Sequence, residues 1–163
     1  MESRAVLALD QARSTGWALY IGGGLKSFGV LELGKPNELY ESLLLKARRC
    51  VKEHVEALGV KVDLVVLEDI QMQSQNVVTY KKLAMLLGVL ISLFLEMEIE
   101  HVVVPPTRWK SYNKIAGKKR AEQKSGTLAF VRETFGLDDI TEDMADAIAL
   151  GWYAVNQETE AIL

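Results

Sequence analysis

Apolar positions fall in two periods along this chain. The run Ala5-Val6-Leu7-Ala8-Leu9 is unbroken and stops at Asp10, which predicts a strand buried on both faces over residues 4–10. Strand-like stretches over 15–21 and 25–32 flank Gly22-Gly23-Gly24, a turn signal that predicts a hairpin. The period then changes to that of a helix: Leu39, Leu43, Leu44, Ala47, Val51, Val55 and Leu58 share a face over 37–58, and Gly59 is a fitting end. A fourth strand, Leu64-Val65-Val66-Leu67, stops at Glu68. A long helix is expected over 76–97, a fifth strand over 101–104 halted by Pro105-Pro106, and helices over 118–135 and 142–157, the last with Thr141 as N-cap. Three consecutive strands followed by alternating helix and strand predict an α/β fold: a five-stranded mixed sheet, antiparallel then parallel, flanked by helices.

Composition adds that one domain, 1–163, is enough. Of the 163 residues 49% are hydrophobic, which supplies an ordinary core, and no Pro/Gly/Ser-rich stretch marks a linker. The single Cys50 has no internal disulfide partner, and with two separated histidines it makes no zinc site. The first residues lack the pattern of a signal peptide, so a cytoplasmic protein is expected. The uncharged apolar run over 83–95 is shorter than the roughly 18 residues of a membrane span, and no membrane partner is expected. That helix instead carries more apolar surface than one face needs to cover a sheet, which predicts a second protein chain against it.

The net charge of −3 hides an uneven distribution. Residues 105–125 hold Arg108, Lys110, Lys114, Lys118, Lys119, Arg120 and Lys124 against Glu122 alone, a balance of +6, while the remainder stands at −9. A basic arm therefore accompanies an acidic body, and such an arm fits a polyanion. Arg108, Lys110 and Lys114 are expected on the anionic groups of such a partner, and 112–117 is expected to be a mobile loop that orders on it. Trp109 reads first as a core anchor; Tyr112 divides evenly between core and base stacking.

Four carboxylates carry the candidate chemistry. Asp10 and Glu68 end two apolar strands expected to be neighbours, and Asp143 and Asp146 are three positions apart on one face of the last helix. Singly, each has an ordinary reading: an Asx turn for Asp10, a solvated strand end for Glu68, a helix-dipole acid for Asp143. Asp146 lies a turn further in, among Ala145, Ala147 and Ile148, and has none. Together they form the oxygen-rich set that hard divalent cations take, with Asp10 placed to bridge two ions.

The stretches Leu-Ala-Leu-Asp10-Gln-Ala-Arg-Ser-Thr15-Gly16-Trp17, Val-Val-Leu-Glu68-Asp-Ile-Gln, Gly117-Lys-Lys-Arg-Ala-Glu-Gln-Lys124 and Asp143-Met-Ala-Asp146 together resemble the RuvC-type Holliday junction resolvases. The likeness is nearest to the bacteriophage branch, in which Gln follows the first Asp. It implies a ribonuclease H-like fold, a homodimer joined through the helix over 76–97, and two Mg²⁺ per site, with Mn²⁺ able to substitute. It also implies paired incisions across four-way or related branched DNA. By the same resemblance Asp10, Glu68, Asp143 and Asp146 are the catalytic metal ligands. Lys124 is the lysine near the scissile phosphate, with Lys118 and Lys119 as competitors and Arg120 among the DNA contacts. Two positions depart from the cellular pattern: Ala12 replaces a glycine, and Gln71 replaces an aromatic residue that stacks at the junction centre. Met72, next to it, is the candidate apolar wedge.

The expected mechanism has Asp10 and Asp146 hold the ion that activates water, Asp10 and Glu68 hold the ion at the leaving 3′ oxygen, and Lys124 steady the phosphorane. Two rivals stand beside it: a ribonuclease H-like nuclease for RNA–DNA hybrid or general branched DNA, and a catalytically degenerate junction-binding protein. An actin-like sugar kinase needs a second domain for which the chain has no room.

Overall fold

The computed structural model describes residues 3–72 and 76–157. Ten elements follow in the order β1 (Ala5–Asp10), β2 (Ser14–Ile21), β3 (Gly24–Glu32), α1 (Tyr40–Ala57), β4 (Leu64–Glu68), α2 (Val77–Glu96), β5 (Glu100–Val104), α3 (Pro106–Tyr112), α4 (Arg120–Phe135) and α5 (Glu142–Val155). The five strands form one sheet in the order β3-β2-β1-β4-β5. β1, β2 and β3 pair antiparallel, and β1–β4 and β4–β5 pair parallel, as the element order predicts. The β2–β3 turn is the two-residue Gly22-Gly23, with φ of 59° and 82°. Positive φ at both central positions suits a turn whose twist matches the strands, and glycine reaches it without strain.

Burial of the central strands explains their unbroken apolar runs. Leu7 and Leu9 face one core with Val65, Leu67, Leu43, Ala47, Val51, Leu86, Leu90 and Phe94, so α1 and α2 cover that side. Ala8, Val66, Tyr20 and Trp109 face the other with Ala147, Ile148 and Leu150, so α5 covers the opposite side. α5 lies close to the sheet at two glycines. At Gly16 a Cβ would meet Asp143, and at Gly151 a Cβ would lie 2.4 Å from the Tyr20 ring. The Tyr20 hydroxyl donates to the Ile148 carbonyl at 2.7 Å, a buried bond worth about 1 kcal/mol net.

Three differences from the sequence reading have local causes. The short helix α3 occupies residues for which no element is predicted, because Pro106 at its first position tolerates a helix start and Trp109 buries completely beneath it. The segment 112–117 is docked and not a free loop. Asn113 is buried and donates to the Ala149 carbonyl at 2.9 Å, and Ile115 enters the α5-side core. α1 begins at Tyr40, three residues later than expected, after an irregular stretch.

α2 is long and apolar enough to match a membrane span by length and composition. One side of it is nevertheless built into the fold through Leu86, Leu90, Leu93 and Phe94. The other side exposes Val77, Val78, Tyr80, Met85 and Leu95, with Ala84, Gly88 and Ser92 between them.

Candidate active site

The parallel pairing of β1 with β4 sets Asp10 and Glu68 side by side at the carboxyl ends of the two central strands. A crevice at such strand ends is where α/β sheets hold ligands. α5 supplies the other pair. Thr141 caps it, its hydroxyl accepting from the Met144 amide at 3.3 Å, so the helix starts beside Gly16, the register partner of Asp10. Asp143 and Asp146, on one face of its first two turns, then join Asp10 and Glu68 along a single cavity of about 720 Å³. The four expected carboxylates are thus brought together. The turn role weighed for Asp10 is taken by Thr15, whose hydroxyl bridges the amide and carbonyl of Ala12.

Their electrostatics record uncompensated negative charge. Burial pushes the Asp10 carboxyl well above the ordinary range, and the charges of Glu68, Asp146 and Asp143 push it further. Glu68 is raised from 4.5 to about 7, chiefly by burial, against the pull of a hydrogen bond from Trp109. Asp146 is raised from 3.8 to about 6 by burial, with Lys110 the main opposing influence. Acids raised in this way in one cleft are a charge arrangement that a bound cation can compensate.

Hard-oxygen donors around excess negative charge fit a divalent cation of the Mg²⁺ type. Among the described residues no three His, Cys, Asp or Glu side chains converge as a ready chelate for one ion. Mg²⁺ does not require one: it keeps several waters and binds through one or two carboxylates together with substrate phosphates. Carboxylates spread around Asp10 match that habit better than a closed cage.

The basic arm reaches the same cavity in part. Lys110, Lys118, Arg120 and Lys124 line it. Lys110 is the cation whose charge is felt at Asp10, Glu68 and Asp146, and its Nζ donates to Gln123 Oε1 at 3.1 Å. Lys124 is ion-paired with Glu142 at the rim. Arg108, Lys114 and Lys119 are exposed and do not line the cavity. Tyr112, 44% exposed, packs edge-to-face on Tyr153, so one side is anchored and one is free. Met72 is 59% exposed beside the cavity-lining Gln71, which suits a projecting wedge.

Two residues of the site escaped the sequence reading of its chemistry. Gln11 is buried; its Oε1 accepts from the Glu68 amide at 3.2 Å and its Nε2 donates to the Glu68 carbonyl. The β1–β4 ladder ends at Leu9 and Leu67, and this side-chain amide extends it past the last strand rung. Trp109, correctly expected in the core, also donates its Nε1–H to Glu68 Oε2 at 2.7 Å. The only signal for Gln11 was its place directly after Asp10, and for Trp109 there was none.

No protein-family model matches the chain. No curated protein sequence matches it either. Solved structures do. The chain is similar to Thermus thermophilus RuvC in complex with a Holliday junction substrate, at a TM-score of 0.70 and 19% identity over 93% of each chain. It is similar to the fowlpox virus resolvase in complex with Holliday junction DNA, at 0.62 and 14% over 98% of this chain and 99% of that one. The yeast mitochondrial Holliday junction resolvase matches at 0.60 and 15%, over 93% of this chain and 78% of that one. The chain therefore has the fold of the RuvC-type resolvases, a mixed five-stranded ribonuclease H-like sheet with helices on both faces.

Proposed function

We propose that this protein is a structure-selective endodeoxyribonuclease that resolves four-way and related branched DNA by Mg²⁺-dependent paired incisions. The observation that carries the reading is the joining of four carboxylates with four basic side chains along one cavity, in the fold of the junction resolvases. Phosphodiester cleavage needs that combination, since the acids repel the substrate unless cations offset them.

Asp10, Glu68, Asp143 and Asp146 would hold the metal. Two Mg²⁺ ions bound there would supply water activation and stabilisation of the leaving oxygen. The chain's own groups do the rest. Lys110, whose charge already reaches Asp10, Glu68 and Asp146, steadies negative charge on the phosphate, and Lys124 joins it once drawn from Glu142. Lys118 and Arg120 at the cavity, with Arg108, Lys114 and Lys119 on the surrounding surface, hold the flanking backbone. The free side of Tyr112 and the side chain of Met72 meet bases near the branch.

Paired incision needs two sites, and the exposed apolar face of α2 supports a homodimer joined there. The test is a synthetic four-way junction, each strand end-labelled in turn, with and without Mg²⁺, beside linear duplex and RNA–DNA hybrid. Symmetric Mg²⁺-dependent nicks in two opposed strands of the junction are expected. Preferential cutting of the hybrid, or binding without any cutting, overturns the reading in favour of a hybrid nuclease or a degenerate binding protein.

A further inference from the structure

Glu68 is the most constrained of the four carboxylates. Its main chain is fixed on both sides by the Gln11 amide, and its Oε2 accepts the Trp109 indole N–H at 2.7 Å. Trp109 has no freedom to leave: it is fully buried in the α5-side core and anchors α3. The indole is a donor only, so it competes with no cation as a ligand; it occupies one lone pair of Oε2 and restrains that oxygen toward the core. Among the described residues Glu68 Oε1 accepts no hydrogen bond.

We propose that Trp109 is a positioning residue for the metal site: it holds Glu68 with one oxygen engaged and the other presented singly, so that Glu68 enters as a monodentate ligand. Ca²⁺ takes carboxylates readily through both oxygens, whereas Mg²⁺ demands octahedral geometry with single oxygens. The indole therefore biases the site toward the smaller cation. Lys110 follows Trp109 in α3, and its Nζ lies 5.2 Å from the indole ring centroid. One buried ring thus touches both Glu68 and Lys110. The inference rests on the reading of Glu68 as a metal ligand made above.

The test needs no DNA. The full chain is titrated with Mg²⁺ and, separately, with Ca²⁺ while its ¹⁵N–¹H spectrum is followed. The Trp109 indole cross-peak is assigned by its absence in Trp109→Phe, which keeps an aromatic ring and removes the donor. The wild-type indole peak is expected to move with Mg²⁺ along the same binding curve as the Asp10 and Glu68 amides. In Trp109→Phe those amides are expected to report Mg²⁺ binding weakened about 10-fold or more, the scale of lost outer-shell partners, and a narrowed preference for Mg²⁺ over Ca²⁺. Wild-type Mg²⁺ binding that leaves the indole peak still, or that Trp109→Phe reproduces in strength and preference, overturns the proposal and leaves the metal-site reading intact. No Mg²⁺ response in the wild type overturns both. If Trp109→Phe does not fold, the wild-type indole peak, assigned instead from through-space contacts, decides alone.

Discussion

A Cβ on Gly16 would lie 1.9 Å from the carbonyl oxygen of Asp143 and 2.5 Å from its carbonyl carbon. Strand β2 and the first turn of α5 therefore touch backbone to backbone, and this contact sets Asp143 and Asp146 next to Asp10, the register partner of Gly16. The glycine matters here for closeness of approach.

Gly16→Ala forces the start of α5 away from the sheet, because the obstructing atoms are main chain and have no flexible end to move. Overpacking of this kind costs about 1–3 kcal/mol. A displacement near 1 Å at a catalytic constellation lowers rate by about 10²-fold. Thermal unfolding and junction cleavage measured on one preparation should show both losses; an Ala variant of normal activity would refute the positioning argument.

Asp10→Asn separates catalysis from stability. Asp10 is destabilised by burial and by three neighbouring acids, so removing its charge relieves the metal-free fold while removing the shared ligand. The variant should bind four-way junctions as wild type does, lose cleavage, and melt higher in EDTA, by about 2–4 °C for each kcal/mol regained. Gel-shift, cleavage and melting assays check the three outcomes, and normal cleavage by this variant would exclude Asp10 as a metal ligand.

The same carboxylates set a pH dependence. Glu68 rises from 4.5 to about 7 and Asp146 from 3.8 to about 6 on folding, so between about pH 4 and 7 the folded state holds more protons than the unfolded one. Stability contributed by these groups is then present at low pH and lost as pH rises through that window. In EDTA the wild type should lose melting temperature relative to Glu68→Gln between pH 5 and 8, and Mg²⁺ at pH 8 should return it. A wild-type profile parallel to that of Glu68→Gln would contradict the raised Glu68.

How far the sequence reveals this molecule depends on the range of the interaction. Strand and helix periods are local, so the sheet and its mixed pairing were legible from the runs ending at Asp10 and Glu68. The four acids were legible because charge at the end of a buried strand, or among alanines as at Asp146, is costly enough to stand out. Closeness of approach is not local. The Trp109–Glu68 bond joins residues 41 apart, and Gly16 looks like any strand glycine until α5 lies on it. Asn113 misled in the other direction: a polar residue in a glycine-bounded stretch reads as loop, yet its Nδ2 donates to the Ala149 carbonyl inside the core.

Lys110 and Lys124 should separate by kinetics. Lys110 acts on three of the four carboxylates, whereas Lys124 reaches Asp146 alone among the shifted acids and is held by Glu142. Lys110→Met should lower the single-turnover cleavage rate by about 10²-fold, the scale of a lost transition-state donor, with junction affinity little changed. Lys124→Met should cost less in rate. Equal effects would assign the two lysines one shared duty.

The outer face of α2 offers a test of the proposed dimer that leaves the single chain unharmed. Gly88 is exposed in mid-helix, and a Cβ there would meet nothing within 4 Å. Lysine at that position relieves the helix of a glycine that costs about 0.8–1 kcal/mol, so the isolated chain should be as stable as before or more so. A second copy packed on Val78, Met85 and Leu95 would instead meet a charge in its interface. Gly88→Lys should therefore sediment as a monomer with an undiminished melting temperature, and nick junctions singly where the wild type nicks in pairs. If it stays dimeric and keeps paired nicking, the two sites are brought together by some other surface, because no contact within one chain shields residue 88.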